Sequence, residues 1–209
     1  MRVRHLREAD YVRQPWKNGG GWTTQLAASP AAGSDFDWRV SIAEIADSGP
    51  FSTFPGCDRH IALLDGAGMR LEFDSAQPAL LEQRLQFVRF AGEWKAYASL
   101  LDGPVRDFNV ISRRERVRAE VLHRPLVGTM VFLAQAHTSW LIHLAAGHAL
   151  LRHGDGVVHV DARESLLLAP DAAKQNCVLD GGGELVLIKI EMIGTEIEPN
   201  DSVAPHRRR

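Results

Sequence analysis

The chain has 209 residues, 45% of them apolar, with 24 basic residues against 26 acidic and a formal net charge of −2 at pH 7. That near-neutral balance excludes a global field for drawing in nucleic acid or an anionic membrane. Two cysteines make no disulfide framework, so Cys57 and Cys177 read as reduced thiols of a cytoplasmic protein. The opening MRVRHLREADYVRQ lacks the apolar stretch of a signal peptide, and no apolar run approaches bilayer length. The expectation is a cytoplasmic chain with no membrane partner and no direct nucleic-acid binding.

In chain order, Leu6 to Val12 is the best helical window, and it is short. Next comes PWKNGGGWTTQL, Pro15 to Leu26. Consecutive glycines allow positive φ and let backbone N–H groups approach a ligand closely. Lys17 adds a positive charge, and Asn18 adds a donor and an acceptor. Trp16 and Trp22 can supply an apolar wall. This is neither a P-loop nor GxGxxG. Read alone, the stretch fits a small carboxylate or amide site and a plain Gly-rich turn equally well.

FDWRVSIAE alternates with period two, placing Phe36, Trp38, Val40 and Ile42 on one strand face together with Glu44. SGPFSTFPGCDRH is a rigid loop leading into a strand at Arg59, whose guanidinium suits bidentate grip of a carboxylate. The plainer reading of Arg59 is an ion pair with Asp58 or Asp65. RHIALLDGAGMRLEF reads as a hairpin about Asp65–Gly68. In DGPVRDFNVISRR, Asp107 and Asn109 share one strand face and Phe108 and Val110 the other. The polar pair lines a cavity or faces solvent.

Arg113–Arg124 reads as the joint between two halves; RVRAEVL within it and LVLIKIEM further on are period-two strands, the second turning Val186, Ile188, Ile190 and Met192 inward. HVDARESLLLAP, a turn followed by an apolar run, is typical of jelly-roll barrels of cupin type. Thr195 onward is polar and aperiodic, which reads as disorder. His143, His148, His153 and His159 form no HxH or HExxH, so neither metal nor cofactor is expected. Cys57 reads as a buried, inert thiol.

Taken together and in order, PWKNGGG, SGPFSTFPGCDRHIALLDGAGM and LDGPVRDFN resemble the HutD (Ves) family over Val12–Arg114. The resemblance implies an all-β bicupin, two jelly-roll-like β-barrels in one chain. The division is residues 1–112, residues 113–194 and a polar tail 195–209. It further implies a protein of histidine utilisation that binds a small acidic ligand and acts in regulation rather than as an established enzyme. Lys17, Asn18, Arg59, Asp107 and Asn109 match the family's polar positions, and Trp16 with Gly19, Gly20 and Gly21 matches its loop. Gln25 stands where family members often carry an acid.

Three functions follow as expectations. The first is binding of a carboxylate of the urocanate, formiminoglutamate or formylglutamate class. The second is an isomerase or hydrolase acting on such a metabolite, with Asp107 or Glu44 as base. The third is a module docking on a transcription regulator through Arg113, Arg114, Arg116 and Arg118. A homodimer is expected by analogy with other cupins.

Overall fold

The computed structural model describes residues 1–16, 19–30, 35–171 and 174–193. Lys17, Asn18 and the tail from Thr195 lie outside the described residues. Sixteen strands account for nearly all regular structure. They are β1 (Arg2–Leu6), β2 (Val12–Pro15), β3 (Gly21–Ser29), β4 (Trp38–Ile45), β5 (Gly49–Pro50) and β6 (Cys57–Asp65). Then come β7 (Met69–Phe73), β8 (Ala79–Leu81), β9 (Phe87–Ala91), β10 (Ala96–Leu100) and β11 (Val105–Arg113). The last five are β12 (Val117–Phe132), β13 (Thr138–His153), β14 (Gly156–Asp161), β15 (Ser165–Ala169) and β16 (Cys177–Met192). The expected helix at Leu6–Val12 shrinks to one 3-10 turn, Glu8–Asp10, because strands claim both ends of that window.

The strands form three sheets. A middle sheet runs β2-β3-β4-β11-β6-β9, a small sheet runs β5-β10-β7-β8, and a C-terminal sheet runs β1-β15-β13-β16-β12 with β14 beside β13. The middle sheet is covered on both faces. Ala43, Ile45, Ile61, Leu63 and Val105 point to the small sheet and share a core with Met69, Leu71 and Ala98. Trp38, Val40, Ile42, Phe108 and Val110 point the other way and pack on Val186, Ile188 and Ile190 of the C-terminal sheet. That sheet also folds over on itself around Leu126, Leu144, Leu151, Leu166, Leu179 and Leu187. The result is an all-β fold in which alternation along each strand feeds two cores rather than a core and solvent.

Several expectations change as a result. Arg2–Leu6, read from sequence with the first half, pairs with β15 of the C-terminal sheet. The segment around Asp65–Gly68 is no hairpin: β6 pairs with β11 and β9, and β7 with β10 and β8. The turn is instead a corner between sheets, with Gly66 at φ 99° and Gly68 at φ 118°. A Cβ at Gly68 would lie 2.5 Å from the carbonyl oxygen of Leu81, so the corner admits no side chain there. Met192 is 40% exposed at the end of β16 rather than inward.

Ile188 is wholly buried where the C-terminal sheet meets the middle sheet, whereas Val127 on β12 is 88% exposed. Ile188→Ala should destabilise the protein by about 2–5 kcal/mol through lost transfer energy and a residual cavity. Val127→Ala should stay within about 0.5 kcal/mol. Urea denaturation of the two variants checks this, and similar values for both would contradict the packing.

Candidate functional site

The glycine loop closes on the protein's own backbone. The N–H of Trp16 donates to the carbonyl of Gly21 at 2.9 Å, and that of Gly19 donates to the carbonyl of Trp16 at 3.1 Å. Gly19 sits at φ 76°. A Cβ on Gly21 would lie 2.3 Å from the carbonyl oxygen of Glu44 and 3.2 Å from the Trp16 ring. The absent side chain therefore lets β3 meet β4 beneath the indole. The Gly20 carbonyl accepts the N–H of Ala46 at 3.1 Å. Trp16 packs on the core shared with the small sheet and donates Nε1–H to Thr23 Oγ1 at 2.8 Å. Trp22 takes the other face of β3, 40% exposed, with the Arg13 guanidinium 4.3 Å from its ring centre. The two tryptophans build no common wall, because Trp22 falls on the opposite side of the pleat from Gly21 and Thr23. Gly19, Gly21 and Trp22 instead line a cleft of about 420 Å³ at the end of the middle sheet, with Ile45, Gly66 and Val105.

Inside, between the middle and small sheets, Arg59, Asp107 and Asn109 are brought together. On β6, Arg59 lies in line with Ile61 and Leu63; on β11, Asp107 and Asn109 lie in line with Val105. Asp107 registers with Ala43 and Leu63, and Asn109 with Ser41 and Ile61. The β6–β11 register shifts between Arg106 and Asp107, where Leu64 of β6 has no partner on β11. Arg59 is 4% exposed and Asp107 1%.

Arg59 makes neither of the ion pairs offered to it by the sequence. Asp58 instead binds Arg89 at 2.7 Å and Arg114 at 2.8 Å. The Arg59 guanidinium is caged by the rings of Phe51, Phe54 and Phe90, with centroids 5.2, 5.3 and 5.2 Å away. Nη1 donates to the Ser52 carbonyl at 3.1 Å. Arg39 joins the same cage, 4.7 Å from Phe36 and 5.3 Å from Phe54. Alternation with Trp38 and Val40 marks Arg39 as pointing away from one core. The sequence did not reveal that a second core lies on that side.

The polar groups of this chamber are not satisfied by one another. Nε of Arg39, Nε of Arg59 and Oδ1 of Asn109 are sealed from solvent without a hydrogen-bond partner among the described residues, and the equally sealed Asp107 carboxylate has at most a poorly aligned approach from the backbone N–H of Ala43. Such groups are expensive to leave unpaired, and the described residues do not supply their partners. Burial brings Arg59 down to about 10, with Asp107 opposing and Arg39 adding to the shift, so it stays cationic at neutral pH. Burial pushes Asp107 up to about 7, against the pull of Arg59. Arg59 thus has one carboxyl, Asp107, and one further guanidinium, Arg39, among its charged neighbours.

The other proposed groups lie elsewhere. Glu44 is on the far face of β4, paired with Arg13 at 2.7 Å, and does not join Asp107. Arg113, Arg114 and Arg116 are tied within the chain to Asp35, to Asp58 and Glu93, and to Asp37. Gln25 registers with Ser41 on the chamber side of β3. Among the described residues, no group of three His, Cys, Asp or Glu side chains is placed to hold a metal ion. Cys57 and Cys177 are buried, and burial pushes both thiols up. No helix among the described residues is long and apolar enough to cross a membrane.

A HutD family model matches residues 8–187. The chain belongs to the HutD family. It is similar to an uncharacterized 21.2 kDa protein in the hutC 3′ region of Pseudomonas putida, 41% identical over 141 residues, covering 63% of this chain and 74% of that protein. Protein Ves of Citrobacter koseri is 42% identical over 107 residues, 51% of this chain; the match spans just over half that relative's length, 56%. The solved HutD from Pseudomonas fluorescens SBW25, described as a formate condition, superposes with TM-score 0.79 at 33% identity, covering 92% of this chain and 100% of that one. The bacterial pirin YhhW of Escherichia coli, in complex with nickel(II), shares the fold alone, with TM-score 0.69 at 10% identity over 91% of this chain and 99% of that one. The HutD chain is an all-β protein of cupin type.

Asp107 is protonated more readily in the folded chain, about 7, than at its ordinary 3.8. The stability this confers is fully present below about pH 3.8 and is lost as pH rises through about 7. His60 and His143, lowered by burial to about 4 and about 3, run in the opposite sense. The difference between Asp107→Asn and the parent isolates the carboxyl. It should move in the variant's favour between about pH 4 and pH 7, as read by urea denaturation across that range. A difference independent of pH would remove Asp107 from the buried chamber.

Proposed function

We propose that this HutD-family protein binds a small carboxylate metabolite in the chamber between the middle and small sheets and thereby modulates histidine utilisation. The observation that carries the reading is the set of sealed, unpartnered groups on Arg59, Arg39, Asp107 and Asn109. The unpaired Nε–H groups call for an anion. The unpaired oxygens call for a donor on the same molecule. A ligand with a carboxylate at one end and an N–H at the other satisfies both. Urocanate, formiminoglutamate and formylglutamate each have that pairing. The phenylalanine cage suits the apolar or planar part between the ends. The formate condition of the P. fluorescens relative, formate being the smallest carboxylate, is compatible with this reading.

Turnover is the second reading. A carboxyl poised near neutrality beside a guanidinium is equipped to move a proton while an oxyanion is held. The chamber contains Asp107 but not Glu44, so a base would act without a second carboxylate from the set proposed. Binding without conversion, followed by NMR on the same three metabolites, separates the two.

The three metabolites should raise the unfolding temperature, since a ligand held only by the folded state stabilises it in proportion to occupancy. Arg59→Ala should weaken the tightest of them by about 1.5–3 kcal/mol, the range for a lost charged hydrogen bond. Absence of any shift at millimolar acid, or a shift that Arg59→Ala leaves intact, would overturn the proposal.

A further inference from the structure

A second concavity lies on the opposite face of the middle sheet. Two adjoining hollows of about 390 and 270 Å³ share Ile42, Arg106 and Arg163, and run along the seam with the C-terminal sheet. Tyr11 and Arg13 line one end; Arg84 and His143 line the other. Arg106 precedes Asp107 on β11, so pleat alternation turns it away from the chamber. Three arginines here are already paired: Arg13 with Glu44, Arg163 with Glu8 and Arg84 with Glu184. Arg106 has no ion pair or side-chain hydrogen bond among the described residues.

The floor of the groove is a chain of hydrogen bonds whose direction is fixed. The Tyr11 hydroxyl lies 2.9 Å from the carbonyl of Arg163 and 3.3 Å from that of Leu6, both of which only accept. Its proton is therefore directed at a carbonyl. Burial pushes the phenol up to about 12, so it keeps that proton. Ser165 Oγ, 2.9 Å away, must then donate to Tyr11. Having spent its proton, Ser165 accepts from Nδ1 of His143 at 3.0 Å. His143 is thus an Nδ1–H tautomer with a lone pair on Nε2. Burial, together with Arg106 and Arg84, holds the imidazole neutral. Nε2 has no hydrogen-bond partner among the described residues, and the ring, though only 2% exposed, lines the groove.

We propose that the groove is a second ligand site, for a small carboxylate that carries its own hydroxyl or N–H. The carboxylate pairs with Arg106, and the donor meets Nε2 of His143. The site is separate from the chamber: Arg106 and His143 lie on one face of the middle sheet, Arg59 and Asp107 on the other.

The test uses the full chain, imidazole ¹⁵N NMR, and L-malate as probe, with succinate as its counterpart lacking the hydroxyl. In the unliganded parent, His143 should show protonated Nδ1 and bare Nε2. L-malate should shift the Nε2 resonance and succinate should do so less. Arg106→Gln should weaken the malate response about tenfold or more, as expected for a lost charged hydrogen bond. Arg59→Gln should leave it unchanged, so failure of this site and failure of the chamber are told apart. Tyr11→Phe should release the tautomer, because Ser165 regains a proton to donate. An Nε2–H tautomer in the parent, no response to L-malate, equal response to succinate, or a response indifferent to Arg106→Gln each overturns the proposal. The tautomer measurement requires no variant to fold.

Discussion

The middle sheet is buried on both of its faces, and the rest of the molecule follows from that constraint. A strand with one wet face can put its polar residues anywhere on that side. β4, β6 and β11 have no such side, so every polar residue on them needs a reason to be there. Ser41, Arg59, Asp107 and Asn109 are the polar residues these strands hold buried on the small-sheet side. They gather in one chamber. β11 shows the principle most clearly: Asp107 and Asn109 serve one compartment, while Arg106, Phe108 and Val110 serve the other. A pleat of period two becomes a partition between two chemistries.

Electrostatics sharpens the contrast between the two faces. In the groove, Arg13, Arg84 and Arg163 are matched across ion pairs, and Arg106 lies in register between Glu44 and Asp65 without a close pair of its own. In the chamber, aromatic rings replace carboxylates as neighbours of Arg59 and Arg39. An aromatic face attracts a guanidinium without neutralising it. The cage therefore leaves the cations un-neutralised, which a full complement of salt bridges would not. Asp107, held near its titration point, balances part of the charge.

Much of this was legible in the residues. Alternation marks the strands around Trp38, Val117 and Val186, and the ordered family words point to Arg59, Asp107 and Asn109. What escaped was everything that depends on which sheet covers which face. Arg39 reads as a solvent-facing residue opposite Trp38 and Val40, and only the rings of Phe36 and Phe54, which lie outside its strand, half-bury it. Asp65–Gly68 has the composition of a hairpin turn, and only tertiary pairing makes it a corner. Phe51 and Phe54 sit in a Pro- and Gly-rich loop with no periodicity, so nothing local announces them as walls of a cage. The Tyr11–Ser165–His143 chain joins residues more than a hundred positions apart, beyond the reach of any motif.

The pairing of β1 with β15 ties the first strand of the chain to nearly the last. Leu166, Leu167 and Leu168 lie along that seam, with the first and last wholly buried. During synthesis, Arg2–Leu6 must wait for some 160 further residues before their partner exists, a contact of very long range in sequence. Until then an apolar edge has no cover, on whichever side arrives first. The two halves are thus interlocked rather than strung together. A cut near Arg113 would strip the C-terminal sheet of its first strand and leave a leucine-rich edge open to pairing with other molecules.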